Sequence, residues 1–425
     1  MSEDMWNWLE IVLPALVSVT AVHWIYFKVL KFAKMKNIVD HPNARKLQKA
    51  PVPVLGGMTV FFGLMVGALC GLCLLALRRG GAPEDVGLSL AEGRTLAPVL
   101  CAAAVMFFTG LMDDNLGLSP RSRLFIEVLT VLGLIYGSGA CIDSLHGLWG
   151  IGQYSWAVGV PLTVVACVGI INAVNMVDGV NGLSSGLSIT GSLLFCVAFV
   201  RRGETANAML ALTFAGALVP FLFHNVIGRM SKMFIGDAGT MVMGVLMSWF
   251  LISLLRHDAG SSTADCFAGA NPVAFALAVL CVPVADTLRV MAMRVAKGRN
   301  PFSADKTHLH HAFIRLCHSH SLTSIGEVGI GLSVVGVWIL SVLLGAGAEA
   351  QLYAVIIAAA LLVWGTYAVL SEESRHGQGL QKWISRTSVR LRQGEKRWWK
   401  RLQSWLDLPE EKLDRKVAAA AAAEE

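Results

Sequence analysis

About eleven apolar runs dominate this chain, near residues 9–30, 54–77, 95–112, 124–141, 156–177, 183–200, 206–224, 238–255, 272–296, 324–346 and 351–370. Crossing roughly 30 Å of hydrocarbon takes about 20 helical residues, and the runs are close to that length. With 55% hydrophobic residues, 15% charged and a mean hydropathy of +0.60, the chain is more apolar than a soluble domain, typically about 45–50%. A soluble globule is excluded, and an all-α, polytopic membrane bundle of about eleven transmembrane helices is predicted. The first residues carry Glu3, Asp4 and Glu10 rather than a positive segment, so the first span is expected to stay attached.

The net charge of +6 does not point to nucleic acid, because the basic residues fall in loops and in the tail after Ser371 rather than along one soluble face. With the N-terminus outside, the loops assigned to the cytoplasm carry fourteen Lys and Arg against six in the opposite loops. By the positive-inside rule this predicts N-out and C-in. Nine scattered cysteines, with Cys70 and Cys73 inside an apolar run, read as packing residues rather than metal ligands or a redox pair.

That orientation puts five polar clusters on the cytoplasmic face: Asp40 to Gly57, Asp113-Asp114, Asn172 to Gly182, Asn225 to Thr240, and Pro301 to His311. Charges deep in lipid cost roughly 2.5–3.5 kcal/mol each, so such acids are retained for chemistry more readily than for stability. Asn172, Asn175 and Asp178 can line one side of a helix end, and Gly179 and Gly182 let the following backbone turn sharply. In the first cluster, prolines and glycines predict an extended loop. There Arg45 and Lys46 either meet phosphates or simply set topology. Adjacent Asp113 and Asp114 repel, so one of them needs a cation or a basic partner, and Arg121 and Arg123 follow closely. Asp237 lies between Gly236 and Gly239 at a helix start, where free N–H groups favour phosphate. His308, His310 and His311 have no cysteine or HExxH pattern beside them, and contacts to an anionic substrate are a better reading than zinc.

No nucleophile elbow, P-loop or dinucleotide fingerprint is present, yet acids for a metal, bases for phosphate and glycine-lined turns are. A diphosphate about 4 Å from a carboxylate is repelled by roughly 4 kcal/mol per charge pair at an effective dielectric near 20. A divalent, oxygen-liking cation such as Mg²⁺, with Mn²⁺ as a substitute, turns that repulsion into binding. Loops at a membrane surface also allow a lipid headgroup to be the acceptor. A proton-coupled transporter or lipid flippase is the alternative, but its acids usually sit near the midplane between internal repeats, and no repeat is visible here.

The Asp113-Asp114 pair, the segment from Asn172 through Asn175 to Asp178-Gly179, Phe234-Ile-Gly236-Asp237-Ala-Gly239 and Pro301-Phe-Ser-Ala-Asp305-Lys-Thr-His308-Leu-His310-His311 together resemble the polyprenyl-phosphate N-acetylhexosamine-1-phosphate transferases. The histidine segment is most similar to members that begin O-antigen and enterobacterial common antigen synthesis with GlcNAc-1-phosphate. The resemblance implies transfer of a sugar-1-phosphate from a UDP-N-acetylhexosamine to undecaprenyl phosphate, at the cytoplasmic side of a bacterial inner membrane. It also implies Asp113 as a base toward the lipid phosphate and Asp237, Asp178 and Asp114 around the metal. Phe234 would stack on uracil, and His308, His310 and His311 would lie near the sugar diphosphate. Asp40, Asn181 and Asn225 complete the expected substrate contacts. Asn181 stands where many members carry a second Asp and Gln48 where many carry His, so a carboxylate at 181 is not part of this chemistry.

Residues 1–371 are expected to form the catalytic membrane domain and 372–425 a cytoplasmic basic tail. In the tail Leu380, Trp383, Ile384, Leu391, Trp398, Leu402 and Trp405 recur at helical spacing among Lys and Arg, as in an amphipathic helix lying on anionic membrane lipids. A homodimer is compatible with this sequence, which fixes neither oligomeric state nor the identity of the hexosamine.

Overall fold

Helix α1 (Glu3–Met35) opens the chain and packs along α2 (Gly56–Arg78) and α7 (Thr205–Val226). The computed structural model describes residues 3–40, 51–78, 83–257, 269–301, 307–371, 378–391 and 396–407. Every apolar run forms helix. α3 (Pro83–Leu116), α5 (Trp156–Met176), α6 (Leu183–Arg201) and α8 (Gly236–Leu255) follow the sequence reading, as does α12 (His320–Leu343). The last run is one continuous helical stretch, α13 (Ala348–Ala359), a π-turn over Ala360–Gly365, and α14 (Thr366–Leu370).

Among the described residues, nine helices are long and apolar enough to cross a membrane, and ten if one bent pair is counted. That pair is α9 (Pro272–Val279) and α10 (Cys281–Ala296), which meet at 75°. The run expected at 124–141 lies in α4 (Pro120–Ser138). Its first turns hold Arg121, Arg123 and Glu127, and three charges in 19 residues set it apart from the apolar crossings. Against the eleven expected, nine or ten of the described helices thus meet that length and hydropathy: one run is broken by a bend, and α4 is more charged in its first half.

α8 is apolar all round, and such a helix belongs at the centre of a bundle. Ala238 through Leu255 are all buried, packed by α3, α5 and α2. Small residues allow close contact where no hydrophobic drive separates helix from lipid. At Gly244 an added Cβ would meet Ile171 of α5 at 2.6 Å. Large apolar residues such as Trp24, Leu69, Phe125, Val165 and Leu343 remain exposed on the outside, which suits a lipid surround.

Two short strands interrupt the helical pattern. β1 (Val39–Asp40) pairs antiparallel with β2 (Val52–Pro53), Asp40 opposite Val52. The chain beyond β2 is tied to the entry of α8: Phe234 N–H donates to Pro53 O (2.8 Å), while Gly56 and Gly57 N–H donate to Phe234 O (2.9 Å) and Ile235 O (2.8 Å). α11 (Leu309–Cys317), α15 (Gln378–Leu391) and α16 (Arg397–Leu406) complete the elements, with α15 packed on α11.

Candidate active site

At the end of the bundle where α3, α5 and α7 finish and α2 and α8 begin lies a cavity of about 730 Å³. Asp114, Asn175, Asp178, Asn181, Asn225, Phe234, Asp237 and His311 line it, with Asp40 at β1. The polar clusters read from sequence thus share one wall, because the alternation of helix direction returns each of these helix ends to the same face.

The entry of α8 sets the geometry. Gly236 has φ +69°, and a Cβ there would meet the Asp114 carboxylate at 2.5 Å. Glycine is the residue that adopts this backbone at no steric cost. The freed N–H groups of the α8 start find an acceptor from another helix: Asp114 Oδ1 takes Asp237 N–H at 2.9 Å and Oδ2 takes Ala238 N–H at 3.1 Å. A carboxylate at a helix N-terminus is favoured by both hydrogen bonding and the helix dipole. The Asp237 side chain receives Asn175 Nδ2 at 2.5 Å, and Asn175 also donates to Thr240 Oγ1 at 2.7 Å.

Asp178 sits in the turn between α5 and α6, where Gly182 at φ +79° redirects the chain. Its Oδ1 accepts Ser184 Oγ at 2.5 Å. Burial, reinforced by the charges of Asp237 and Asp114 and opposed by the Ser184 hydrogen bond, pushes its carboxyl up to about 7. Lys232, also at the cavity, is held below the usual amine range by burial.

Behind this wall Arg123 connects the acids. Its Nη1 is 3.3 Å from Asp113 Oδ2 and 3.8 Å from Asp237 Oδ2, and its Nε donates to Glu127 Oε1 at 3.0 Å. Glu127 Oε2 in turn accepts Asn172 Nδ2 at 2.5 Å. Asp113 also takes Leu118 N–H at 2.8 Å. Asp113, Arg123 and Asn172 thus lie outside the cavity lining, in a polar layer that Arg123 joins to Asp237. Arg121 is exposed on the first turn of α4 and lies outside the site. Arg45 and Lys46 fall outside the described residues.

The three histidines divide as well. Only His311 reaches the cavity. His308 Nδ1 lies 2.8 Å from Asp286 Oδ2, and its ring stacks on His310 at 5.6 Å and 9°. Asp286 Oδ1 also takes Arg289 Nη2 (2.7 Å) and Leu309 N–H (3.1 Å), which fastens the histidine segment to α10. His310 is buried, and burial together with His311 and His308 brings its imidazole down to about 3. Burial thus favours its neutral form, and its side chain lies behind the cavity lining. A Cβ at Gly179 would fall on its Nε2.

Several supporting groups went unassigned in the sequence: Glu127, Ser184, Asp286, and His320, whose Nδ1 accepts Asn181 N–H at 3.2 Å. Glu127 carried a signal, four residues after Arg123 on one helix face, and so did the lone Asp286-Arg289 pair inside an apolar run.

Among the described residues, no three His, Cys, Asp or Glu side chains form a ready-made metal cage. The donor set instead fits an ion held by one or two carboxylates, with water and substrate phosphate completing its shell, as Mg²⁺ usually is. Asp178 and Asp237 suit that role: both line the cavity, both offer hard oxygens, and the second oxygen of Asp178 accepts no hydrogen bond among the described residues. Asp114 also lines the cavity, but both its oxygens already accept backbone N–H groups of α8.

The profile of glycosyl transferase family 4 matches residues 96–255, from α3 through α8. The decaprenyl-phosphate N-acetylglucosaminephosphotransferase of Mycobacterium leprae is 30% identical over 322 residues, 72% of this chain and 78% of the relative. The undecaprenyl-phosphate alpha-N-acetylglucosaminyl 1-phosphate transferase of Yersinia pestis is 28% identical over 333 residues, covering 74% and 83%. That of Salmonella typhi is 30% identical over 311 residues, covering 71% and 76%.

Proposed function

Because this chain belongs to glycosyl transferase family 4, among its polyprenyl-phosphate N-acetylglucosamine-phosphate transferases, we propose that it moves N-acetylglucosamine-1-phosphate from UDP-GlcNAc to undecaprenyl phosphate, the initiating step of a cell-surface glycan. An oxygen of the lipid phosphate attacks the phosphorus that carries the sugar. The bond from that phosphorus to the bridging oxygen breaks, UMP leaves with the oxygen, and a lipid-linked diphosphate sugar remains. The observation that carries this reading is the convergence of Asp178, Asp237, Phe234 and His311 on one cavity at the ends of apolar helices.

The chain's own residues supply positioning and charge. Phe234 offers a ring face to the uracil, and Lys232, with its Nζ 6.0 Å from the centre of that ring, offers a cation to phosphate. Asp178 and Asp237 would hold Mg²⁺, which when bound neutralises the diphosphate. A phosphate monoester has its second pKa near 6, so the lipid nucleophile is mostly ionised at pH 7 without a base. Asp113, paired with Arg123, is therefore read as a support for Asp237 rather than the proton acceptor. The positive-inside count favours a cytoplasmic cavity, and the membrane of this proposal is a bacterial inner membrane.

The test is purified protein in detergent with undecaprenyl phosphate, Mg²⁺ and UDP-GlcNAc labelled in the phosphate attached to the sugar. Label is expected in the organic phase and UMP in the aqueous phase. Label that stays aqueous with active lipid present overturns the reading.

A further inference from the structure

The loop between α7 and α8, residues 227–235, puts Lys232 and Phe234 at the cavity and leads directly into Gly236 and Asp237. Its first half is gripped from two distant parts of the chain. From α1, Tyr26 Oη donates to Ser231 O at 2.8 Å and Lys34 Nζ to Met230 O at 3.2 Å. From the end of α16, Asp407 accepts Ser231 N–H at 2.9 Å and Ser231 Oγ at 2.6 Å on Oδ1. It also accepts Arg229 N–H on both oxygens, at 3.2 and 3.0 Å. Ser231 is 1% exposed, and its Oγ also lies 3.0 Å from His224 Nδ1. Only Lys232 and Met233 separate this clamp from Phe234.

A single carboxylate that gathers two backbone N–H groups and a hydroxyl is a strong, directional tie, since each bond is charge-assisted. Loops at sites otherwise tend toward the low-stability end of a fold. The other half of the loop is held independently, by Asn225 Nδ2 on Met233 O and by Pro53 O on Phe234 N–H. Asp237 has its own supports in Asp114, Asn175 and Arg123.

We propose that Asp407, carried by the amphipathic tail, is a positioning residue that sets the nucleotide-facing loop through Arg229 and Ser231, so that donor binding depends on a docked tail. The inference rests on the transferase reading for its kinetic consequence, though not for its structural one. The donor side is singled out because Phe234 and Lys232 follow the clamp at once, while the acids that serve the reaction are fixed by other elements.

The experiment compares full-length wild type, Asp407→Ala and Asp407→Asn in steady-state transfer, varying UDP-GlcNAc and undecaprenyl phosphate separately. Amide exchange of peptides covering 227–236 and Tm are followed in parallel. Asp407→Ala is expected to raise KM for the nucleotide sugar about five- to tenfold, leaving kcat and the lipid KM within about twofold. Exchange across 229–231 should quicken at least about tenfold, and Asp407→Asn, which keeps one acceptor oxygen, should fall between. Unchanged exchange, or a donor KM equal to wild type, overturns the proposal. So does a joint fall of kcat for both substrates with a lowered Tm, which marks general destabilisation. Wild-type protein that transfers nothing would refute the transferase reading instead, and the exchange comparison would still decide whether Asp407 holds the loop.

Discussion

The Asp114 carboxylate caps the helix that Asp237 begins: an acid at the end of α3 accepts the backbone N–H of Asp237 at 2.9 Å, 123 residues further along, and that of Ala238 at 3.1 Å. Asp114→Ala leaves both donors without their acceptor, and losing charge-assisted bonds of this kind costs about 1–3 kcal/mol. Because Asp237 rides on the same backbone, transfer should fall about 100-fold. Asp114→Asn keeps one acceptor and should lose roughly half the stability change. Thermal unfolding in detergent and the organic-phase assay check both figures.

Asp113 and Asp237 share Arg123 Nη1 at 3.3 and 3.8 Å, yet only Asp237 lines the cavity. If Asp113 acts by holding Arg123, Asp113→Asn should lower kcat by about tenfold, while Asp237→Asn should lower it by about 10²–10³-fold, as loss of a group at the reacting charges does. Equal losses would instead place Asp113 in direct contact with substrate.

Gly179 brings the α5–α6 turn against the histidine segment, where a Cβ would land on His310 Nε2. His310 is buried and cannot yield easily. Gly179→Ala should therefore shift Asp178 beside it and reduce transfer by 10-fold or more, to about 100-fold. Gly133 in α4 has nothing within 4 Å of its would-be Cβ, and Gly133→Ala should leave activity unchanged, with up to about 1 kcal/mol gained from helix propensity. The pair of variants, assayed side by side, separates a steric cause from a generic glycine effect.

The apolar runs were legible because burial in lipid writes length and hydropathy directly into sequence, so every run became helix. What hydropathy cannot register is direction: the 75° bend between α9 and α10 has no charge or long polar break to announce it. The cavity residues Asp178, Phe234 and Asp237 stood out as polar groups beside glycines at helix ends. Which histidine faces the cavity did not, since Asp286, which fixes His308, is brought in only by the tertiary fold. Asp113 and Asp114 were likewise indistinguishable as neighbours. One residue of helical rotation turns the first toward Arg123 and the second onto α8.

Asp178 ties the site to pH. Its carboxyl is raised from 3.8 to about 7, chiefly by burial and then by Asp237 and Asp114. A raised folded-state value means that the folded protein binds this proton more tightly than the unfolded chain does. The resulting stabilisation is full below about pH 4 and lost as pH rises through 7. In metal-free protein, Tm should therefore fall between about pH 4 and 7 and level off above that, and Asp178→Asn should reduce the slope. A cation held by Asp178 competes with the same proton, and simple competition at a value near 7 makes apparent Mg²⁺ affinity about tenfold weaker at pH 6 than at pH 8. Mg²⁺ should accordingly raise Tm more at pH 8 than at pH 6 and restore transfer after EDTA treatment. An Mg²⁺ response identical at the two pH values, or activity that survives EDTA, would remove Asp178 from the metal's shell.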